Sequence, residues 1–204
     1  MCSVIGYSGK FNKELVSKLL YNSRIRGLHA FGYACFGDKN SIVVHKFTDY
    51  TEFHNHLLDT APTTFIAHFR YSTSGDFTNP ENNQPLVKGT TAIVFNGVIS
   101  QKPKEAMEQE FGVAIPAEND GYILLEKYDD IDFNRREDVS YACVGLKEGM
   151  IFFTRNEYRP LYLSINTGDD DLIVGASTND ILKRSGIDNG FLMDTTDLWA
   201  RHTY

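Results

Sequence analysis

The chain has 204 residues, of which 42% are apolar and 13% aromatic, a composition that can bury a hydrophobic core and argues against intrinsic disorder. Its formal net charge is -7, and its Lys and Arg residues form no basic stripe, which argues against direct nucleic-acid binding. No apolar run approaches the roughly 20 residues that cross a bilayer, and no signal-peptide core follows the N-terminus, so we expect a cytoplasmic protein that does not bind membranes.

The first part of the sequence predicts a strand, a helix and a β-hairpin, in that order. The opening CSVIGYSG is a short apolar run that ends in turn residues, which is typical of a strand that starts close to the chain terminus. Residues 12–22 place apolar side chains at helical spacing behind Asn12, a favoured N-cap residue. The runs AFGYACFG and SIVVHKF flank the turn-forming residues 37–40 and predict a hairpin. A short helix is expected over residues 51–58.

The middle of the sequence predicts two buried strands, a loop and two helices. The strands are TTFIAHFRYS and TAIVFNGVIS. Between them, residues 74–84 are rich in Gly, Asn, Pro and Thr, a composition that predicts a mobile surface loop. Residues 103–111 and 119–128 show the apolar spacing of helices.

The last part of the sequence returns to strands, which the runs VSYACVGLK, MIFFTRN, PLYLSI and LIVGAS predict. Ser177 is expected to cap a final helix that carries Ile181 and Leu182. The strands come in antiparallel runs with helices between them, and no internal repeat or flexible linker divides the chain. The sequence therefore predicts a single α+β domain over residues 1–204.

Three cysteines, an odd count without metal-type spacing, indicate a reducing compartment rather than a disulfide framework. Cys35 and Cys143 lie within strand-like apolar runs and are interpreted as inert core residues. Cys2 differs, because removal of Met1 would make it the first residue. It would then carry a side-chain thiol and a free backbone α-amine together. An α-amine has an ordinary pKa of about 7.7 to 8.0, so it can act as a local base at neutral pH.

Three further positions combine polar side chains with the ends of predicted elements. Arg70 ends a predicted buried strand, where its guanidinium could bind a carboxylate with two parallel hydrogen bonds. The alternative is a solvated or structurally paired arginine. Asn96 and Gly97 could form a hairpin turn, but apolar residues continue on both sides, and an amide beside a glycine N–H is a plausible oxyanion-binding pair. Asp120 opens a predicted helix, where an ordinary N-cap is the alternative to a binding role.

Taken together and in this order, these segments resemble the class II glutamine amidotransferases, the glutamine-hydrolysing domain of asparagine synthetases, amidophosphoribosyltransferases and glucosamine phosphate synthases. The resemblance covers nearly the whole chain. It rests on MCSVIGY, on Arg26-Gly27 in SRIRGLHAFG, on AHFRYSTSG, on NNQPLV with IVFNG, and on FTRNEYRPLYL with VGASTNDIL. The chain departs from the family pattern where His29 replaces the usual Asp and at the positions Ser3, Asn156 and Thr178.

The resemblance implies the four-layer αββα fold of the N-terminal nucleophile hydrolases, with two stacked antiparallel sheets. It also implies that Cys2 is the catalytic nucleophile and that Asn96 and Gly97 form the oxyanion hole. The loop from Tyr71 to about Pro80 resembles the flap that closes over glutamine. The substrate-binding residues that the resemblance implies are Arg70 for the α-carboxylate, Asp120 for the α-ammonium, Thr73 at the base of the flap, and Arg26.

The resemblance further implies that glutamine is the substrate, that no cofactor or metal is needed, and that ammonia passes to an acceptor. Since the chain stops at about the end of the amidotransferase domain, we expect a separate synthase subunit as the partner. Two alternatives stay open. One is an N-terminal nucleophile amidase or peptidase that cleaves another γ-glutamyl compound. The other is a non-catalytic regulatory protein that retains the fold, which the departures from the family pattern would allow.

Overall fold

The structure is a computed structural model that describes residues 2–72, 75–167, 171–195 and 198–203. Its helices are α1 (Lys13–Arg24), α2 (Tyr50–Thr60), α3 (Lys104–Phe111), α4 (Gly121–Lys127), α5 (Ile131–Asn134) and α6 (Asn179–Arg184). Its strands are β1 (Ser3–Ser8), β2 (Ala30–Phe36), β3 (Ile42–Phe47), β4 (Thr64–Arg70), β5 (Leu86–Lys88), β6 (Thr91–Val98), β7 (Ser140–Lys147), β8 (Met150–Arg155), β9 (Tyr162–Asn166), β10 (Leu172–Ala176), β11 (Phe191–Leu192) and β12 (Trp199–His202). Short 3-10 turns lie at Asp38–Asn40 and Pro80–Asn82.

The strands form two antiparallel sheets. The seven-stranded sheet has the order β11-β9-β10-β1-β4-β2-β3, and the five-stranded sheet has the order β12-β8-β7-β6-β5. Because β1 lies in the interior of the larger sheet, both of its edges are hydrogen-bonded, to β10 on one side and to β4 on the other. The beginning of the chain is thereby fixed in the middle of the fold.

Alternation of side chains along the strands produces three hydrophobic layers and so a four-layer αββα arrangement. In β1, Ile5 and Tyr7 pack against α1, α2 and α6, whereas Val4 points into the layer between the two sheets. In β6, Ile93 and Phe95 pack against α3, α4 and α5 on the outer face of the smaller sheet. The α+β class and the stacked antiparallel sheets predicted from the sequence are confirmed.

The helix predictions for the first 128 residues are confirmed in type and approximate extent. Asn12 caps α1, because its Oδ1 accepts a hydrogen bond from the Leu15 N–H at 3.0 Å. The helices expected over 51–58 and 103–111 are α2 and α3, while the one expected over 119–128 is shorter and begins at Gly121. The expected hairpin joins β2 to β3.

The predicted cap of the last helix is wrong by one residue. Thr178, not Ser177, is the N-cap of α6, and its hydroxyl accepts the Ile181 N–H at 3.4 Å. The Ser177 hydroxyl instead accepts the Val4 N–H at 2.8 Å, across the sheet in the buried interior. Ser177 therefore secures the start of β1.

The predicted surface loop over residues 74–84 is wrong for its last part, and Ser74 lies outside the described residues. Asn82, Asn83 and Gln84 are buried, with exposures of 3%, 3% and 6%. They are buried because their amides and carbonyls pair with backbone and side-chain groups beneath them, including the Phe95 N–H, which the Gln84 Oε1 accepts at 2.6 Å. The elements α5, β5, β11 and β12 were not predicted.

Among the described residues, no helix has the combination of length and apolar character that crossing a bilayer requires.

Candidate active site

Cys2 lies directly before β1. Because Ser3 of β1 pairs with Phe69 of β4, Cys2 lies beside the end of β4. Its sulfur is 3.8 Å from the Tyr71 carbonyl oxygen. Burial raises the pKa of the Cys2 thiol, and the positive charges of Arg70 and Arg26 act in the opposite direction. The thiol is thus a partly buried group with two cations nearby, directly before a strand that is hydrogen-bonded on both sides.

Arg70 is the last residue of β4 and is 7% exposed. Its Nη1 donates hydrogen bonds to the Asn82 carbonyl at 3.1 Å and to Asn83 Oδ1 at 2.5 Å, and its Nη2 donates to the Gly75 carbonyl at 3.2 Å. On β4 it shares the inter-sheet face with Ile66. Its guanidinium is therefore positioned by the loop that follows it, which excludes the solvated-arginine alternative.

Asn96 and Gly97 lie inside β6 rather than in a hairpin turn, paired with Ala142 and Tyr141 of β7. Asn96 is 4% exposed, and its side-chain amide makes no hydrogen bond within the described part of the chain. A Cβ on Gly97 would lie 1.9 Å from the Ser140 carbonyl oxygen, so only glycine fits there. The close approach of β7 is by itself a structural reason for glycine, and the Asn96 amide remains the donor that faces the inter-sheet layer.

Asp120 immediately precedes α4 but does not cap it. The Gly121 N–H donates instead to Asn119 Oδ1 at 2.9 Å. The Asp120 Oδ2 accepts two backbone hydrogen bonds just beyond the end of β6, from Ile99 N–H at 2.6 Å and from Ser100 N–H at 3.0 Å. Burial raises the pKa of Asp120, and these N–H groups act against that rise.

A chain of hydrogen bonds joins the Arg70 region to the Asp120 region through Asn82. The Asn82 carbonyl accepts from Arg70 and also from Asn119 Nδ2 at 3.0 Å, and Asn82 Oδ1 accepts from the Glu118 N–H at 2.9 Å. A cationic and an anionic side chain are thereby fixed in one neighbourhood. Such a pair suits the carboxylate and the ammonium of a free amino acid.

Arg26 contacts the backbone of Cys2, because its Nε donates a hydrogen bond to the Cys2 carbonyl at 3.2 Å. Gly27 follows it at a position where a Cβ would lie 2.3 Å from the Phe69 carbonyl oxygen. The glycine lets the segment before β2 pass against the end of β4, which brings Arg26 to Cys2. Thr73, predicted to lie at the base of the flap, falls outside the described residues.

The other two cysteines are core residues, as the sequence predicts. Cys143 is fully buried and Cys35 is 4% exposed, and burial raises the pKa of both thiols. Within the described ranges, no group of three or more His, Cys, Asp or Glu side chains has an arrangement that could hold a metal ion.

Two cavities of about 580 and 460 Å³ lie toward the other end of β1, and Asn12 lines both of them. None of the candidate site residues, from Cys2 to Asp120, lines either cavity. Glu14, the carboxylate of these cavities nearest the helix start, forms an ion pair with Lys18 at 2.6 Å. The cavities contain no combination of groups that competes with the Cys2 region as a site of chemistry.

Two contacts near Cys2 could not have been found from the sequence. His29 Nδ1 accepts the Ser72 N–H at 2.8 Å, although the two residues are 43 positions apart. Ser177 binds Val4 from 173 positions away. Local patterns carry no signal for either contact, since both depend on the sheet order.

Comparison with solved structures identifies glutamine amidotransferases as structural neighbours. The chain superposes on glutamine phosphoribosylpyrophosphate (PRPP) amidotransferase from B. subtilis with a TM-score of 0.71 and 20% identity. The structure described as the allosteric regulatory enzyme of purine biosynthesis gives 0.72 and 20% identity. In both cases 98% of this chain covers 49% of the other, so the chain spans about half the length of these two proteins.

A third neighbour, a glutamine aminotransferase class-II domain protein from Silicibacter pomeroyi, gives a TM-score of 0.61 at 10% identity, covering 99% of each chain. No family model and no curated protein sequence matches the chain. The chain therefore has the fold of the class II glutamine amidotransferase domains, which confirms at the level of the fold the resemblance drawn from the sequence.

Proposed function

We propose that this chain hydrolyses the side-chain amide of glutamine, with Cys2 as an N-terminal nucleophile once Met1 has been removed. The observation that carries the proposal is the position of Cys2 at the start of a central, fully buried strand, between two arginines and beside the segment that follows β4. A chain terminus held so firmly is unusual, because most termini fray. The amidotransferase fold supports the same activity.

In the first half-reaction, the Cys2 sulfur attacks the amide carbon of glutamine and its proton moves to the α-amine. Because burial raises the pKa of the thiol, it is protonated at neutral pH, and the reaction needs a base beside it. The α-amine of the processed chain supplies that base and then protonates the leaving nitrogen. Ammonia departs, and a thioester to Cys2 remains.

In the second half-reaction, water attacks the thioester carbon and releases glutamate, while the proton returns to sulfur. Both half-reactions pass through a tetrahedral oxyanion, which the Asn96 amide and the Gly97 N–H stabilise. Arg70 binds the α-carboxylate and Asp120 the α-ammonium of glutamine, with Arg26 orienting the Cys2 backbone and Thr73 contributing at the base of the flap. Because these contacts are to groups that do not react, they determine affinity and orientation.

A glutaminase assay on the purified, processed chain tests the proposal. We expect glutamate and ammonia in equal amounts from the wild type, none from Cys2→Ala, and wild-type activity from the matched control Cys35→Ala. Competition between glutamine and γ-glutamyl peptides distinguishes the alternative amidase. If the processed wild type and Cys2→Ala are equally inactive on all these compounds, the chain is not this enzyme, and the regulatory alternative applies.

We further propose that the ammonia is consumed by a separate synthase in the cytoplasm, where the three free thiols stay reduced. The surface beside the Cys2 region supports docking there, since Ile25 is 82%, Leu28 59% and Tyr71 49% exposed. The supporting result is a synthase whose ammonia-dependent reaction becomes glutamine-dependent when this chain is added. Failure of every co-purifying synthase to gain that dependence would contradict a separate acceptor.

A further inference from the structure

The side chain of His29 connects the segment before β2 to the segment that follows Arg70. Its Nδ1 accepts the Ser72 N–H at 2.8 Å, and the backbone N–H of His29 donates to the Arg70 carbonyl at 3.0 Å. Its ring lies between two aromatic rings, 4.9 Å from that of Tyr71 and 5.3 Å from that of Phe77. His29 thus contacts the chain on both sides of residues 73 and 74, at Tyr71 and Ser72 before them and at Phe77 after them.

The same short segment reaches the two groups on which the proposed chemistry depends. The Tyr71 carbonyl lies 3.8 Å from the Cys2 sulfur. The Ser72 hydroxyl donates to the Gly75 carbonyl at 3.1 Å, and that carbonyl also accepts from the Arg70 Nη2 at 3.2 Å. A continuous series of hydrogen bonds therefore runs from His29 through Ser72 and Gly75 to the guanidinium.

We infer that His29 is a positioning residue that holds the Tyr71–Ser72 segment, and through it Arg70, in the geometry that binds the substrate's carboxylate. The role rests on the proposed function, but the link itself is a property of the free protein. Tyr71 is 49% exposed, and the contact of its ring with the His29 ring helps to hold it at the surface.

Acceptance at Nδ1 requires that this nitrogen carry no proton, so the ring proton of the neutral imidazole lies on Nε2. Two substitutions can therefore separate the hydrogen-bond acceptor of His29 from its aromatic ring. In His29→Asn, the amide oxygen is attached to Cγ as Nδ1 is, so it can accept the Ser72 N–H without the ring. In His29→Phe, the ring stays between Tyr71 and Phe77 and the acceptor is lost.

Two measurements on the free protein test the link without any catalysis. Nitrogen-15 NMR of the imidazole should show the Nε2–H tautomer, and amide exchange at Ser72 should accelerate about 10-fold in His29→Phe but not in His29→Asn, as expected for loss of one hydrogen bond. The matched control is His54→Phe on α2, whose ring nitrogen pairs with the Ser17 hydroxyl away from this loop. An Nδ1–H tautomer, or unchanged Ser72 exchange in His29→Phe, would overturn the link.

Kinetics test the role. We expect His29→Phe to raise the KM for glutamine on the order of 10-fold and to change kcat by no more than about 2-fold, with His29→Asn close to wild type. Equal defects in both variants, or a loss confined to kcat, would refute positioning through the acceptor nitrogen. If the wild type hydrolyses no glutamine, the proposed function fails, and the tautomer and the exchange rates still decide the His29 link.

Discussion

Arg70 and Asp120 are oriented by backbone and amide dipoles before any ligand arrives. Two carbonyl oxygens and an amide oxygen hold the guanidinium, and two backbone N–H groups hold the carboxylate. Each side chain is largely removed from water, so a substrate would not have to displace many solvent molecules or freeze a mobile rotamer. Both groups therefore fit a role in binding an amino acid rather than in the chemical step.

Asn96→Ala removes the amide that faces the inter-sheet layer. Loss of one oxyanion donor typically lowers turnover by about 10² to 10³, so we expect that decrease in kcat with little change in KM. Steady-state glutaminase kinetics measure it, with Asn55→Ala on the exposed face of α2 as the control. Near-wild-type turnover in Asn96→Ala would remove Asn96 from the oxyanion hole.

Arg70→Lys keeps the positive charge but cannot reproduce the fork that the guanidinium presents. We expect a KM for glutamine raised by about 10- to 100-fold with a smaller change in kcat, because the carboxylate it binds does not react. Glutamine titrations of initial rate give both constants. A defect in kcat at unchanged KM would contradict carboxylate binding by Arg70.

Among the elements, β1 determines where Cys2 lies, and both neighbouring strands hold β1 in position. β4 pairs with all six of its residues and β10 with four. Beyond the last pair with β10, the Ser177 N–H donates to the Val4 carbonyl at 3.2 Å and the Ser177 hydroxyl accepts the Val4 N–H at 2.8 Å. These two hydrogen bonds extend the β1–β10 pairing by one residue, to Val4.

Ser177→Ala leaves the Val4 N–H without its acceptor in a fully buried place. We expect a decrease of about 1 to 3 kcal/mol in the free energy of unfolding, measured by urea denaturation. The control Ser41→Ala, at an exposed turn, should stay within about 0.5 kcal/mol of the wild type. Equal stability of the two variants would show that Ser177 does not secure β1.

Elements that follow from local residue types were predictable from the sequence, and contacts that follow from sheet order were not. Asn12 is a cap by residue type and position, and α1 was found through it. Ser177 and Thr178 are adjacent capping residues, and only the position of Val4 decides which of them is free to cap α6. Within the site, Cys2 and Arg70 were recognisable from their place beside strands.

The buried turn over residues 82–84 was the larger failure of prediction. Three consecutive polar amides indicate a surface, because such residues are mostly exposed in proteins. Two of these amides donate to backbone carbonyls six residues earlier, but the further partners Arg70, Phe95 and Glu118 approach only after the sheets have formed. His29 was noted as a departure from the family pattern, but its contact with Ser72 depends on the same long-range arrangement.

In the molecule as a whole, the layer between the two sheets holds buried polar groups, among them the hydrogen-bonded hydroxyls of Ser8 and Thr64 at the end away from Cys2 and a histidine nearer to Cys2. His68 lies there on β4, 1% exposed, with neither ring nitrogen hydrogen-bonded within the described part of the chain. Burial, assisted by the charge of Arg70, lowers the pKa of His68 to about 3. The folded protein therefore holds this imidazole neutral where the unfolded chain would protonate it.

The sign of the resulting pH dependence follows from that difference. Below about pH 6.5 His68 becomes protonated in the unfolded chain, whereas in the folded chain it stays neutral down to about pH 3. Stability should therefore fall with acidification, by up to about 1.4 kcal/mol per pH unit from this group. His68→Leu should reduce the slope of unfolding free energy against pH between 6 and 4, roughly the middle of that window. Parallel slopes for variant and wild type would contradict a buried neutral His68.

The first measurement to make is the intact mass of the purified protein before and after exposure to a diazoketone analogue of glutamine. It reports Met1 removal and thiol reactivity together, and peptide mapping assigns the modified residue. We expect a chain lighter by one methionine that gains a single adduct at Cys2 and none at Cys35 or Cys143. A processed chain that gains no adduct, or one that reacts at a core cysteine instead, would contradict glutamine hydrolysis by an N-terminal Cys2.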